Sequence, residues 1–404
     1  MPCGGTRPSS ARGAQSVELG QGRSAVQRER TDQPQGAVLL TGATGFVGSQ
    51  VLLRYLRGTG RRIYALVRGA DPDEATRRLR GAVAPLGADL PADRVVAVPA
   101  DLERDALGLD PDRRARLAGE VTDVVHAAAS VSFTLPLPES RAINVEGTRR
   151  VLEFAHLAQR RGGLRRMAYV STAYVAGTHP GDFTEDDLEV GQTFRNAYER
   201  SKFEAERLVR RDRRRLPIQI FRPSIVVGEA STGRTQTFNV LYAPLKAFVK
   251  GGLPVIPAQS SAPVDVVPVD YVADAIVALA DGPADEGTYH LVAGRRATSV
   301  GELIGLAAAR ADRSAPLVVP PSLYRGLLHP MIKRRAPDRR RRALERLETF
   351  FPYFAMDVTY DDRRTRAALA ASGIEAPPIT SYFDRLMDFA ERSEWGRRPV
   401  GLNH

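Results

Sequence analysis

Residues 38–48 read VLLTGATGFVG: an apolar run breaks into a glycine-rich turn and resumes as a helical pattern. Gly42, Gly45 and Gly48 recur at every third position. Glycine permits the tight reversal and lets backbone approach a pyrophosphate closely. The following helix offers its unpaired N–H groups and the positive end of its dipole to the phosphates. The spacing alone is a weak signal, and its position at the first strand–helix junction gives it weight. The stretch predicts a dinucleotide site built from Gly42, Thr44, Gly45, Phe46, Val47 and Gly48.

Outward from this turn, short apolar runs alternate with helical patterns. Candidate strands lie at 37–41, 63–67, 94–99, 123–127, 166–171 and 218–222, with helical stretches at 47–56, 142–159 and 196–211. Near-continuous apolar strands joined by helical crossovers indicate a parallel sheet covered on both faces. The expected fold is α/β, a Rossmann-like doubly wound sheet. After Gly228 the alternation stops: two candidate helices and a Pro/Gly-rich stretch fill 229–264, and the chain from 295 onward reads as mostly helical. The expected organisation is a disordered tail at 1–35, a cofactor domain at 36–228 to which 264–294 returns, and a smaller substrate lobe from 229–263 and 295–400.

Composition narrows the class. Of 404 residues, 43% are apolar and 26% charged, which is globular. No run of about 18 apolar residues predicts a membrane span. The first residues lack the apolar core of a secretory signal, so the expected location is cytoplasmic. Cys3 is the single cysteine, which excludes a disulfide framework and a cysteine zinc site, and the six scattered histidines form no convincing metal cluster. The net charge of +11 favours anionic partners, although no nucleic-acid motif accompanies it. Only four of the 58 basic residues are lysines: Lys202, Lys246, Lys250 and Lys333. The run Lys333 to Arg346 holds eight basic residues against Asp338 and Glu345. It is either a solvated face or a docking face for an anionic partner, whether an acidic protein, a phosphate-bearing molecule or an anionic membrane.

Cofactor choice is read at the end of the second strand. A carboxylate there would accept the ribose hydroxyls of NAD, but the residue is Arg68, whose planar fork suits the 2′-phosphate of NADP(H). Arg77 and Arg78 either add to this or are solvated helix residues. Asp101, followed by Leu102, leaves the third strand, either to accept from the adenine amino group or to cap a turn. Ala127, Ala128 and Ala129 are small enough for backbone to lie along the cofactor, and the preceding His126 reads as structural.

Tyr198 and Lys202 stand at i and i+4, on one face of a candidate helix. Twelve tyrosines and four lysines in this length give roughly 0.1 accidental Tyr-x-x-x-Lys pairs, so chance is a poor explanation. A phenol can protonate a carbonyl oxygen as hydride arrives, and a neighbouring ammonium is expected to lower its pKa. Ser171 and Thr172 both offer a hydroxyl at the exit of the fifth strand, and Thr172 is favoured. Asn144 either holds a water that relays protons to Lys202 or satisfies helix backbone. Phe238, Leu241, Tyr242, Leu245 and Phe248 suit an apolar tunnel and core packing equally.

With these motifs assembled (TGATGFVG, LVRG, HAAASVSF, INVEGT, YVSTAYV, Tyr198/Lys202 and FRPSIVVG), the chain over roughly residues 36–295 resembles an extended short-chain dehydrogenase/reductase. More narrowly it is similar to the thioester reductase and fatty acyl-CoA reductase branch, the "male sterility" NAD-binding family. The resemblance implies a Ser/Thr–Tyr–Lys set at Thr172, Tyr198 and Lys202 and a nicotinamide carboxamide contact at Pro223, Ser224 and Ile225. It also implies a substrate entrance at Val131, Ser132 and Phe133. The implied activity is NADPH-dependent reduction of an acyl thioester, on coenzyme A or an acyl-carrier protein, to aldehyde, with a second reduction to alcohol left open. The alternative is a ketone or aldehyde reductase, or a hydroxysteroid-type dehydrogenase, of the same superfamily. Unlike the megasynthase versions, the chain is expected to carry no carrier or adenylation domain of its own.

Overall fold

Every residue of AVLLT at Ala37–Thr41 and of IYALV at Ile63–Val67 is buried. In the computed structural model, which describes residues 36–238, 240–251, 255–324, 326 and 350–398, these runs are strands β1 and β2 of a seven-stranded sheet. The others are β3 (Val95–Pro99), β4 (Val121–His126), β5 (Arg166–Val170), β6 (Ile218–Pro223) and β7 (Gly287–Leu291). The order is β7-β6-β5-β4-β1-β2-β3, and every neighbouring pair is parallel. The order reverses between β1 and β4, where crossovers leaving in opposite directions open a crevice at the carboxyl ends of the strands.

The pleat divides each strand between two apolar layers. Val38 and Leu40 join Val51, Leu52 and Tyr55 of α1 (Phe46–Gly58) and Leu79 and Val83 of α2 (Pro72–Val83). Leu39 faces the other layer, with Leu117 of α3 (Pro111–Glu120), Val151 and Phe154 of α4 (Gly147–Arg161) and Val209 of α5 (Ala197–Asp212). Helices α2 and α3 start alike. Asp71 accepts from the Glu74 N–H at 2.7 Å and Asp110 from that of Arg113 at 2.8 Å, with proline next in each case. Helix α1 has Gly45 at its N-cap, no side-chain cap and no acid in its first turn. A five-residue π-helical stretch, Ala142–Glu146, leads into α4.

A third apolar cluster forms beyond β6. It joins Leu241, Tyr242, Leu245 and Phe248 around α6 (Tyr242–Val249), Val300 and Leu303 of α8 (Val300–Ala311), and Phe383, Leu386 and Met387 of α9 (Phe383–Arg392). Between them α7 (Val269–Asp281) returns to the sheet, its Val272 and Ile276 joining the α1 layer. Where the pattern at 229–264 predicts two helices, the described residues form one, α6. Ahead of it the chain makes a tight turn in which Gly233, at φ +72°, packs on Arg385; a Cβ there would lie 1.9 Å from the Arg385 carbonyl oxygen. Two parallel strand pairs fasten this region, Val255–Pro257 with Leu317–Val319 and Gly181–Phe183 with Val358–Tyr360. Among the described residues no helix is long and apolar enough to cross a membrane. The basic run Lys333 to Arg346 lies outside them.

Candidate active site

At the crevice the glycine turn has the shape its sequence demands. Gly42 sits at φ +77°, and a Cβ there would lie 2.7 Å from the Ala127 carbonyl carbon and the Ala128 nitrogen. A Cβ on Gly48 would lie 2.0 Å from the Gly42 oxygen. Gly42 therefore lets the turn lie against the exit of β4, and Gly48 lets α1 seat on the turn. Thr44 and Gly45 are exposed, with Phe46 and Val47 half-buried behind them. Exposed backbone, an uncapped helix N-terminus and the lack of a first-turn acid fit a pyrophosphate.

His126 braces this arrangement. Its Nδ1 is 2.7 Å from the Thr41 hydroxyl and its Nε2 3.0 Å from that of Thr148, while the Ala128 N–H donates to Thr41 Oγ1 at 3.2 Å. Burial, reinforced by the Lys202 charge, pushes the imidazole down to about 3, so it is neutral. The half-buried Ala127, Ala128 and Ala129 leave the strand immediately beyond it.

Beside the ends of β2 and β3 lies a cavity of about 900 Å³ lined by Arg68, Arg78, Asp101, Arg104 and Arg113 among others. The Arg68 head is exposed, 3.8 Å from Glu103, and that of Arg78 lies 3.8 Å from Glu74. Arg77 is exposed and does not line the cavity. Asp101 accepts from the Glu103 N–H at 3.0 Å, so one of its oxygens caps the turn while the residue also lines the cavity. Leu102 packs against α4, its Cβ 3.4 Å from the Cβ position of Gly147.

Thr172, Tyr198 and Lys202 come together where β5 ends against α5, and all three are buried. Asn196 starts α5 by accepting from the Glu199 N–H at 2.9 Å, which places Tyr198 and Lys202 in its first turns. The Thr172 hydroxyl, near the Pro223 carbonyl at 3.5 Å, is the one close enough to lower the Tyr198 phenol. Ser171 is turned the other way and donates to Glu206 at 2.6 Å. The structure thus separates two hydroxyls that the sequence leaves equivalent. Lys202 Nζ donates to the Tyr169 hydroxyl at 3.0 Å and to the Val170 carbonyl at 2.9 Å, and among the described residues no carboxylate bonds to it. Burial pushes the ammonium down to about 7, which the Glu206 charge partly opposes. The phenol of Tyr198 is pushed up to about 12 by burial; the Thr172 hydroxyl lowers it and the Glu199 charge raises it further. The expected lowering by Lys202 is therefore not found in this arrangement: desolvation sets the shift, and the lysine is engaged with Tyr169. What the arrangement provides is a protonated phenol, with a second hydroxyl close by, on the same helix face as a lysine whose charge is easily removed.

Asn144 lies in the π-helical stretch. Its amide donates to the Ser130 carbonyl at 3.1 Å and to Ser201 Oγ at 2.9 Å, and its oxygen accepts from the Ser130 N–H at 2.8 Å. Both amide donors are spent on protein, so a relay water can only be held through the remaining lone pair of the oxygen. The same bonds fix the segment leading to Val131, Ser132 and Phe133. Val131 and Ser132 are exposed, whereas the Phe133 ring stacks on Tyr198 with centroids 5.5 Å apart. Pro223 ends β6, Ser224 and Ile225 follow it, and all three are buried; the Pro223 carbonyl lies 3.5 Å from Thr172 Oγ1. Of the residues suited equally to tunnel or core, Leu241, Leu245 and Phe248 are buried and also line a narrow apolar slot with Ile256, Leu303 and Phe354. Tyr242 is core, and its hydroxyl accepts from the Gly228 N–H at 3.1 Å.

Two groups beside the site escape a sequence reading. Glu206 and Arg222 form a fully buried pair at 2.6 Å. Burial raises the Glu206 carboxyl, but Arg222, Arg210 and Ser171 outweigh it and hold it down near about 2. Glu206 continues the Tyr198–Lys202 spacing by one further i+4 step, which is the signal that could have found it. Tyr353 stacks on Phe133 with centroids 5.3 Å apart and reaches Glu199, 154 residues away in sequence. No local pattern marks it.

Comparison with known proteins gives a consistent picture. The sequence profile of the family described as male sterility protein matches residues 40–276. The terminal R domain from the myxalamid PKS-NRPS biosynthetic pathway superposes with a TM-score of 0.78 at 30% identity, covering 91% of this chain and 94% of that one. Glycine betaine reductase ATRR of Emericella nidulans is 34% identical over 63% of this chain and 21% of its own length. The non-canonical nonribosomal peptide synthetase FrzA of a Cladobotryum species is 32% identical over 88% of this chain and 36% of its own. The chain thus spans about a fifth to about a third of the length of these two curated relatives.

Proposed function

The chain belongs to the male sterility protein family, within the extended short-chain dehydrogenases/reductases that use NAD or NADP, and on that premise we propose that it reduces an acyl thioester with NADPH. The observation that carries this reading is the buried meeting of Thr172, Tyr198 and Lys202 beside the glycine turn. The cavity lined by Arg68, Arg78, Arg104 and Arg113 supports NADP over NAD, since guanidiniums suit a 2′-phosphate. The similarity to a terminal R domain and to a peptide synthetase supports a carrier-bound acyl donor, with acyl-CoA as the alternative. In this reading 36–228 with 264–294 holds the cofactor, and 229–263 with 295–400 holds the acyl group.

The nicotinamide, when bound, supplies the hydride. The chain's own residues do the rest. The hydroxyls of Thr172 and Tyr198 would bind the thioester oxygen and offset the negative charge that grows on it. The high pKa of Tyr198 keeps its proton available for that oxygen. Lys202 orders the ribose hydroxyls and Asn144 holds the segment at the entrance. The hemithioacetal formed from the substrate then breaks its C–S bond, giving aldehyde and free thiol. Reduction of the aldehyde by a second equivalent would give the alcohol.

The test is NADPH consumption with acyl-CoA and carrier-bound thioesters, with thiol release followed in parallel and a Tyr198→Phe variant alongside. NADPH loss coupled to thiol release, one to one for the aldehyde or two to one for the alcohol, and abolished by the variant, is the expected result. NADPH loss with ketones or aldehydes but never a free thiol would refute thioester reduction in favour of simple carbonyl reduction.

A further inference from the structure

Tyr198 is covered by an aromatic stack that ends in the lobe. Phe133 lies over it, and Tyr353 lies over Phe133 at an interplanar angle of 23°. Tyr174, from the loop after β5, meets the Tyr353 ring edge-on at 5.1 Å. The hydroxyl of Tyr353 is bonded on both sides. It donates to Glu199 Oε1 at 2.6 Å and accepts from Asn196 Nδ2 at 2.6 Å. Asn196 is the N-cap of α5 and Glu199 the third residue of its first turn, and Tyr198 stands between them. Glu199 is fully buried, and its second oxygen accepts from the Arg195 N–H at 2.8 Å. The Arg195 guanidinium lies 5.7 Å from the centre of the Tyr353 ring. One lobe residue thus touches the start of the catalytic helix through its hydroxyl and the cover of the reacting phenol through its ring.

We propose that Tyr353 is a positioning residue that sets Tyr198 for proton donation, its hydroxyl fixing the start of α5 and its ring, through Phe133, forming the wall against which the acyl group is placed. The proposal rests on Tyr198 acting as the proton donor. A buried carboxylate and amide that lose a shared partner must find new ones or leave their positions, and the helix start moves with them. A displacement of about 1 Å at a reacting group is enough to lower turnover by about a hundredfold. The two parts of the side chain therefore have separable effects. The hydroxyl acts on the helix and so on the reacting state, whereas the ring acts on the space the acyl group occupies and so on binding.

Three variants assayed for steady-state reduction, NADPH affinity and thermal unfolding test this. Tyr353→Phe keeps the ring and is expected to lower kcat about tenfold, with the thioester KM within twofold and NADPH affinity unchanged. Tyr353→Leu removes both parts and is expected to raise the thioester KM about tenfold in addition. Phe133→Leu breaks the stack from the other side and is expected to raise KM with kcat lowered less than threefold. Wild-type kcat in Tyr353→Phe, or loss of NADPH affinity equal to the loss of turnover, overturns the proposal. If Tyr353→Phe does not fold, a wild-type KM in Phe133→Leu overturns it. If the wild type releases no thiol but reduces aldehydes, thioester reduction fails on its own, and the same kcat and KM pattern is then read with the aldehyde.

Discussion

At the amino ends of the strands Asp123 lies between two guanidiniums, Arg61 and Arg165, and Arg61 reaches Asp281 as well at 2.8 Å. At the carboxyl ends Lys202 is buried as completely, yet its hydrogen bonds go to a phenol oxygen and a carbonyl. The first charge is neutralised and satisfied, as a scaffold requires. The second is held by neutral groups in a low-dielectric setting, where its proton is weakly bound. Even near the site the distinction holds: Arg222 and Glu206 pair with one another, and Lys202, one turn away on the same helix, does not bond to either. In this contrast the paired charges brace the sheet, and the ammonium held by neutral groups stands one turn from Tyr198 on α5.

That contrast can be broken at either end. The largest effect is expected from Tyr198→Phe, with kcat lower by about 10³-fold, as for loss of a general acid, and an unfolding midpoint within a few degrees of wild type. Asp123→Ala should do the reverse. Removing the carboxylate between two cations costs about 3–5 kcal/mol of stability, read by urea unfolding, while kcat per folded molecule stays near wild type. A smaller change is expected from Arg68→Ala: a KM for NADPH raised about tenfold, equivalent to about 1.4 kcal/mol, with the KM for NADH unmoved.

A last test sharpens the comparison through pH. Burial holds folded Lys202 at about 7 against an ordinary 10.5. Between those values the unfolded chain binds the proton and the folded chain does not, so this group makes stability rise as pH rises through that window. Below about 7 both states carry the charge and its burial costs the folded state in full. Lys202→Met removes the group, so unfolding of the ligand-free protein between pH 7 and 10 should lose that rising contribution. An identical pH slope in variant and wild type would mean that Lys202 keeps its proton.

Sequence by itself determined those features whose causes lie among neighbouring residues. The turn at Gly42 and Gly48 is legible because a Cβ at either would strike backbone at 2.7 or 2.0 Å, a steric demand that admits only glycine. Strands such as Ala37–Thr41 and Ile63–Val67 are legible because burial on both faces needs unbroken apolar runs. Tyr198 and Lys202 share a face because a helix repeats every 3.6 residues.

Tertiary structure decided what depends on distant partners. Ser171 and Thr172 are adjacent hydroxyls, and only the position of Glu206 on α5 turns one away and leaves the other beside Tyr198. The Tyr198 phenol was expected to be lowered by its lysine and is raised by burial, which no spacing encodes. Asn144 spends both donors on Ser130 and Ser201 because the π-helical stretch aims it there. Tyr353 meets Glu199 across 154 residues because packing of the lobe brings them together. Steric and periodic rules act over a few residues and can be read along the chain, whereas burial and partnership are properties of its closure on itself.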